Sequence, residues 1–380
     1  MFFSKKNNPV IYFDNAATTP QLRFDNDVMI DYGNPSSPHG LGLQSERAVG
    51  RARASIRGIL NCHEGEITFT SGGTESNNLA LIGFAMANKR REICIYAEPW
   101  EHPSVLEPLR YIKEQGFAEV CITNLAEDIK VSHEINLFSI SHICHETGHI
   151  NDINAFANAA KEKYPKAIIH VDGVQGFCKE SADLTGIDMY TFSGHKCHGP
   201  VGVGGLAVRG NIKLSPLLHG GGQEKGLRPG TENVSGIISL ANTASSLHSA
   251  HESSRKHVAQ IKSIIESIKD DIPNVYVNQR DGDVSPYILN MSFLGISGET
   301  LVHALSEKGV YASMGAACRS RKRVKTALEL MGFSEERTRS AVRFSFSHLN
   351  TQEEAEAAKA IIIATVEQLR RMLRSTKNEM

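Results

Sequence analysis

Thr191-Phe192-Ser193-Gly194-His195-Lys196-Cys197-His198-Gly199-Pro200 follows a short apolar run, Ile187 to Tyr190, and precedes a glycine-rich strand, Val201 to Val208. A lysine at a strand end, among small residues and histidines, is poorly placed for a solvated surface charge. It is well placed to lose its proton by desolvation and to attack an aldehyde as a nucleophile. Taken alone, Lys196 reads equally well as an ordinary loop lysine. The segment upstream tips the balance: Ala167-Ile168-Ile169-His170-Val171-Asp172-Gly173-Val174-Gln175 is a buried-type strand that ends in a carboxylate.

An aspartate set to pair a pyridinium nitrogen and a lysine set to form a Schiff base are together the signature of pyridoxal phosphate (PLP) chemistry. A third stretch supplies a phosphate seat. Glu66-Ile67-Thr68-Phe69-Thr70-Ser71-Gly72-Gly73-Thr74-Glu75-Ser76-Asn77-Asn78-Leu79-Ala80 reads as a strand, a two-glycine turn and a helix start. The backbone N–H groups there, with Gly73 and the Thr74 hydroxyl, suit an anion. A plain strand-to-helix turn looks the same, so this motif counts only beside the lysine. Strand signals at Glu92 to Ala97, Glu119 to Thr123, Leu137 to Ile143, Ala167 to Val171 and Met189 to Phe192 alternate with helical segments. That alternation predicts a mostly parallel sheet covered on both faces, with a ligand beyond its carboxyl strand ends. Thr74, His102, His145, Asp172 and Lys196 all fall at or just after such ends.

Elsewhere the pattern is plainer. Val10 to Pro20 reads as a short strand and a turn, and Gly33 to Gly40 as a turn-rich loop followed by a helix from Leu43 to Leu60. A long amphipathic helix is predicted from Ser246 to Lys269, and the domain boundary is placed there: a large domain over 15–250, and a small one over 1–14 and 251–380. Strands are expected at Val275 to Val277, Tyr287 to Phe293, Val310 to Ala312 and Ala341 to Phe346. The last helix opens on a capping box, Thr351-Gln352-Glu353-Glu354. With 380 residues, 22% charged and a net charge of −1, the chain gives no global electrostatic reason to bind nucleic acid or membrane. No apolar run is long enough to span a bilayer, and Met1 to Asn8 is polar with no signal-peptide core behind it. Seven dispersed cysteines suit a reducing cytoplasm, and no metal site is expected.

Several ordered motifs resemble the cysteine desulfurases of the iron–sulfur and thiolation type, within the aspartate-aminotransferase-like fold of PLP enzymes. They are Tyr12 to Pro20, Phe69 to Asn78, Glu101-His102-Pro103, His170 to Gln175, Ser193-Gly194-His195-Lys196, and Gly220 to Asn233, spread from about Ile11 to the final helix. The resemblance implies a fold type I enzyme: a mostly parallel seven-stranded sheet sandwiched by helices, with a smaller α+β C-terminal domain. It implies that Lys196 bonds the cofactor aldehyde and shuttles the Cα proton, and that His102 stacks on the ring. Asp172 would hold the ring nitrogen and Gln175 the ring hydroxyl, while Gly73, Thr74, Ser193 and His195 hold the phosphate. Thr231 would reach the partner subunit's phosphate in a homodimer. Asn34, His145 and Arg343 would contact the substrate, Arg343 clamping its carboxylate in a bidentate pair. Cys318, in a loop of about 313–324, would be the nucleophile that becomes a persulfide; Arg319, Arg321, Lys322 and Arg323 favour its thiolate.

The implied reaction takes L-cysteine to L-alanine and hands the sulfur to an acceptor protein in iron–sulfur cluster assembly, tRNA thiolation or DNA phosphorothioation. Selenocysteine lyase, or another class V aminotransferase-type reaction, is the alternative on the same fold, and a non-catalytic scaffold is the rival from another class. Three departures stand out. His145 replaces the asparagine expected beside the cofactor, in Cys144-His145-Glu146-Thr147-Gly148. The segment from Pro20 to Asn34 is shorter than the family's. The cysteine loop is unusually basic, and Arg343-Phe344-Ser345-Phe346-Ser347-His348 replaces the usual leucine–glycine ending.

Overall fold

The structure, a computed structural model, describes residues 10–23, 33–125, 133–210, 212–314 and 326–378. Its strands, in chain order, are β1 (Ile11–Tyr12), β2 (Gly65–Thr70), β3 (Ile93–Ala97), β4 (Glu119–Ile122), β5 (Ile135–Ser141) and β6 (Ile168–Asp172), followed by β7 (Met189–Ser193), β8 (Gly204–Arg209), β9 (Val275–Val277), β10 (Ile288–Phe293), β11 (Val310–Tyr311) and β12 (Ala341–Ser345). The contacts divide the chain into two compact units: residues 19–143 with 151–251, and residues 1–18 with 144–150 and 252–380.

The larger unit is built on a seven-stranded sheet in the order β2-β8-β7-β6-β5-β3-β4. β8 runs antiparallel to both of its neighbours, and the remaining pairings are parallel. β3, β5 and β7 are buried at every position, as strands covered on both faces must be. Alternation then sends successive side chains to opposite layers. Phe138, Ile169, Tyr190 and Phe192 pack into one apolar cluster, and Ile95, Leu137, Met189 and Leu206 into another. Each such side chain contributes roughly 1.5–3 kcal/mol on burial. Because the strands are parallel, the ends of β2, β5, β6 and β7 emerge on one edge. This is the aspartate-aminotransferase-like α/β architecture of fold type I.

The smaller unit holds an antiparallel sheet, β12-β10-β9, and the parallel pair β1-β11. Asp14 bridges to Ser345 and Ser313 to Arg343, tying the N-terminal segment and the residues after β11 to β12. Phe13 meets Phe346 edge to face at 5.1 Å. The closing helix, Gln352–Asn378, buries Ala355, Ala358, Ile362 and Val366, one helical face. Residues 144–150, inside the range 15–250 by sequence, pack with this unit. Ser285 N–H donates to the Gly148 carbonyl and Ile150 N–H to the Asp283 carbonyl, while His149 bridges to Val284.

One predicted helix is broken. In place of Ser246 to Lys269 the chain forms Val234–Ser249, His251–Glu266 and Ile268–Asp271. Ala250 leaves helical geometry (φ −101°, ψ 9°) and turns its N–H back to Ser246 and His248. The apolar spacing of Leu247, Val258, Ile261 and Ile265 survives because each helix buries its own face. The segment that is short after Pro20 lies largely outside the described residues, as does Cys318 with its basic neighbours.

The capping box before the last helix is complete: Glu354 N–H donates to Thr351 Oγ1 at 3.1 Å and Thr351 N–H to Glu354 Oε2 at 3.2 Å. Thr351→Ala is expected to lower unfolding free energy by roughly 1 kcal/mol, with Thr351→Ser close to the parent, in urea titrations of the whole chain. Equal midpoints for Ala and Thr would show that the helix start is held by packing alone.

Candidate active site

Asp172 closes β6, and its register partner across the parallel pairing is Thr191 of β7. Two residues beyond Thr191 the strand ends at Ser193, and a single 3-10 turn, Gly194–Lys196, carries the lysine just past the sheet edge. The carboxylate and the lysine therefore emerge from adjacent strands at the same edge. The strap from Thr19 to Leu22 holds this turn. Thr19 donates through both N–H and Oγ1 to the His195 carbonyl, each at 2.9 Å, and Leu22 N–H donates to the His198 carbonyl. His198 Nδ1 in turn meets the Pro20 carbonyl at 2.7 Å, which makes it a satisfied loop residue.

Asp172 is buried, and its two oxygens are held by Val174 N–H at 3.0 Å and Asn77 Nδ2 at 2.9 Å. Asn77 also donates to Ser104 Oγ at 2.9 Å, and Ser104 Oγ lies 2.8 Å from His102 Nδ1. That nitrogen accepts the Ser104 N–H as well, at 3.0 Å, so the ring carries its neutral-state proton on Nε2. His102 caps the helix Pro103–Glu114 with its ring exposed. A continuous relay thus runs from the Asp172 carboxylate through Asn77 and Ser104 to the His102 ring.

Glu101 lies behind the relay. It is wholly buried and accepts Ser141 N–H at 2.7 Å. Burial, and then the charges of Asp172 and Glu98, push its carboxyl well above the usual carboxylate range. Ionisation of Glu101 is thereby disfavoured beside Asp172.

The anion seat lies at the end of β2. Gly72 stands at φ 153°, a conformation that favours glycine, and a Cβ on Gly73 would strike Val174 Cγ2 at 2.5 Å. Ser193 Oγ is buried without a hydrogen-bond partner, an orphan hydroxyl that an acceptor oxygen would satisfy. Thr74 stands exposed on the following helix. Burial first, then the charges of Lys196 and Lys179, lower the His195 pKa to about 4, so its imidazole is neutral near pH 7. Gln175 is buried, its amide oxygen bonded to Lys179. An orphaned hydroxyl, a glycine cradle, a held carboxylate and a strand-end lysine fit PLP.

Asn34 is exposed at a tight turn, its Oδ1 accepting Ser36 N–H at 2.9 Å. Thr231 is exposed near the end of the Gly220 to Asn233 loop. The base of that loop is bound to its own unit. Glu224 forms a forked pair with Arg53, both contacts 2.8 Å, and Arg228 pairs with Glu75 at 2.9 Å. Glu224 and Lys225 hold left-handed backbone at φ 47° and 57° without glycine, a strain the fork retains. In the smaller unit, Arg343 donates to the His145 carbonyl at 2.8 Å and lies 3.4 Å from Asp14 Oδ1. His145 Nε2 lies 3.5 Å from Glu146 Oε1. Asn77, Ser104, Glu101 and His142 carried no role in the sequence reading because they have partners on distant segments, and Lys179 carried none because its burial does not show in the sequence.

The chain belongs to the class-V aminotransferase family, whose model matches residues 11–358. With that membership it is a PLP-dependent enzyme. It is 33% identical to a cysteine desulfurase IscS of Methanosarcina thermophila, over 98% of this chain and 96% of that protein. A NifS/IcsS protein homolog of Lactobacillus delbrueckii subsp. bulgaricus is 36% identical over 91% and 94% of the two chains. Among solved structures, a NifS-like protein superposes with TM-score 0.86 at 31% identity, over 94% of this chain and 99% of that one. The structure described as SspA in complex with cysteine gives 0.73 at 28% over 88% and 98%, and DndA from Streptomyces lividans 0.70 at 30% over 84% and 94%. No helix among the described residues is long and apolar enough to cross a membrane.

His142 follows β5, donates its N–H to the Asp172 carbonyl at 2.9 Å, and meets the Tyr190 hydroxyl at 3.0 Å through Nδ1. Burial lowers its pKa to about 4. The unfolded chain, where histidine titrates near 6.5, therefore binds more protons between those two values, so stability is complete above pH 6.5 and is lost as pH falls toward 4. At pH 5 this site alone removes on the order of 2 kcal/mol, and urea denaturation of His142→Gln should show a correspondingly shallower acid slope. Parallel slopes for the two proteins would assign the acid sensitivity elsewhere.

Proposed function

We propose that the protein is an L-cysteine desulfurase that releases L-alanine and leaves the sulfur as a persulfide on Cys318. The observation that carries the reading is the emergence of Asp172 and Lys196 from adjacent parallel strands beside the orphaned Ser193 hydroxyl. Relatives named as cysteine desulfurases over nearly the whole chain, and a similar structure described as a complex with cysteine, support the substrate.

When bound, the cofactor draws electrons from the substrate Cα into a protonated ring. Asp172 would keep that ring proton in place, and Asn77 Nδ2 and Val174 N–H aim its two oxygens. Lys196 would hold the cofactor at its aldehyde and would carry the proton at the substrate Cα. His102, its neutral-state proton fixed on Nε2 by Ser104, would stack on the ring. Gly73, Thr74, Ser193 and neutral His195 would hold the phosphate, and Gln175 the ring oxygen. Asn34, His145 and Arg343 bind the substrate, Arg343 at its carboxylate. Cys318 attacks the substrate sulfur as a thiolate: a sulfur–sulfur bond forms, the carbon–sulfur bond breaks, and the carbon fragment is protonated to alanine. The sum is L-cysteine plus Cys318 thiol giving L-alanine plus Cys318 persulfide. An acceptor protein of iron–sulfur, tRNA-thiolation or DNA-phosphorothioation chemistry then takes the outer sulfur. The enzyme works as a cytoplasmic homodimer in which Thr231 completes the partner's phosphate site.

The purified protein should be yellow, and Lys196→Ala should change its visible band and slow turnover by about 10²–10⁴-fold. Cys318→Ala should keep the band and its response to cysteine while sulfide release falls to background. Wild-type alanine production by that variant would refute the persulfide step, and no uptake of supplied PLP by the wild type would sink the whole reading.

Thr231→Ala is expected to weaken PLP retention without changing the fold. A fully active monomer in light scattering would refute the shared site.

A further inference from the structure

Lys179 sits in the run of turns that follows Asp172. Its own N–H and that of Glu180 close onto the Gly176 carbonyl, while the N–H groups of Gly176 and Phe177 close onto the Gly173 carbonyl. The side chain is 7% exposed, and its Nζ lies 2.9 Å from Gln175 Oε1, which is buried as well, at 6%. An ammonium group only donates hydrogen bonds, whereas a glutamine amide presents an oxygen on one side and N–H on the other. A buried ammonium facing Gln175 therefore selects one of the amide's two orientations. The carbonyl turns to Lys179, and the Nε2 protons turn the opposite way.

We propose that Lys179 is a positioning residue: by pinning the Gln175 carbonyl it commits the Gln175 N–H to the ring oxygen of the bound cofactor, which it stabilises as an anion. This rests on the PLP reading of the site. The charge of Lys179 also reaches the cofactor's surroundings directly. After burial, and with Lys196, it lowers the His195 pKa. Among the described residues the titratable groups near this corner also include Asp172, Tyr190, His142, which meets the Tyr190 hydroxyl, and His251, whose Nε2 meets the Lys179 carbonyl; burial holds the Tyr190 hydroxyl well above its ordinary range. Gln175 donation and the Lys179 charge act in the same direction on the nitrogen that joins the cofactor to Lys196. Both make the neighbouring oxygen less able to share a proton with that nitrogen, so both lower the proton affinity of the visible chromophore.

The test is a pH titration of the visible absorbance band of the PLP-loaded enzyme. Lys179→Met should raise the midpoint by about one pH unit, a tenfold gain in proton affinity. Gln175→Leu should raise it too, and the double variant should fall short of the sum of the two single shifts, since each single change already breaks the contact between them. Lys179→Arg should return most of the shift. Gln175→Glu serves if Lys179→Met does not fold: the carboxylate keeps the contact to Lys179 but offers no N–H, so its midpoint should also rise. A midpoint equal to wild type in Lys179→Met or Gln175→Glu, or single shifts that add in full, overturns the assignment. A wild type that takes up no PLP overturns instead the function on which it rests.

Discussion

A carboxylate taken out of water must be given donors or it takes a proton. Asp172 is buried at the end of a central strand, and the site is arranged around satisfying it. Val174 N–H and Asn77 Nδ2 fill two of its lone-pair positions. The same need explains Glu101. A second ionised carboxyl in that volume would have to be desolvated and would repel the first, so burial and the Asp172 charge drive it toward the neutral acid.

The donors also explain why the relay extends as far as His102. Asn77 has two amide protons and spends one on Asp172 and the other on Ser104. Ser104, having accepted, is free to donate to His102 Nδ1, and its backbone N–H fixes the same nitrogen. The tautomer of the exposed imidazole follows from a buried charge several groups away. The pairing of β6 with β7 makes this economical: Asp172 is registered opposite Thr191, so a short turn suffices to bring Lys196 to the same edge.

Strand ends were readable in the sequence because buried parallel strands are unbroken apolar runs, and a charge at the end of such a run is conspicuous. Asp172 and Lys196 both announce themselves in this way, and so does the capping box at Thr351. The relay does not. Asn77 stands in a quoted motif, yet its role depends on a partner 95 residues away and another 27 away, separations at which periodicity carries no information. Lys179 follows a similar logic at shorter range: a lysine four positions after Gln175 looks like a solvated turn residue until its burial is known. The predicted helix from Ser246 to Lys269 failed for the opposite reason. Its apolar spacing is real, but spacing does not register the break at Ala250 between two helices that each bury a face.

His145 stands where the resemblance implies an asparagine, and the smaller unit shows what its backbone does there. The contact His145 makes to Arg343 is through its carbonyl oxygen, at 2.8 Å. Any residue supplies that acceptor, so the guanidinium is held whichever side chain occupies the site. Asp14, in the segment bridged to Ser345, contributes the charge at 3.4 Å, and Arg343 Nε remains buried without a partner. A planar donor group held at one corner by a carbonyl and at another by a carboxylate has its direction fixed while donor capacity remains. The His145 carbonyl therefore helps to align the arginine independently of the imidazole, whose Nε2 lies 3.5 Å from Glu146 Oε1.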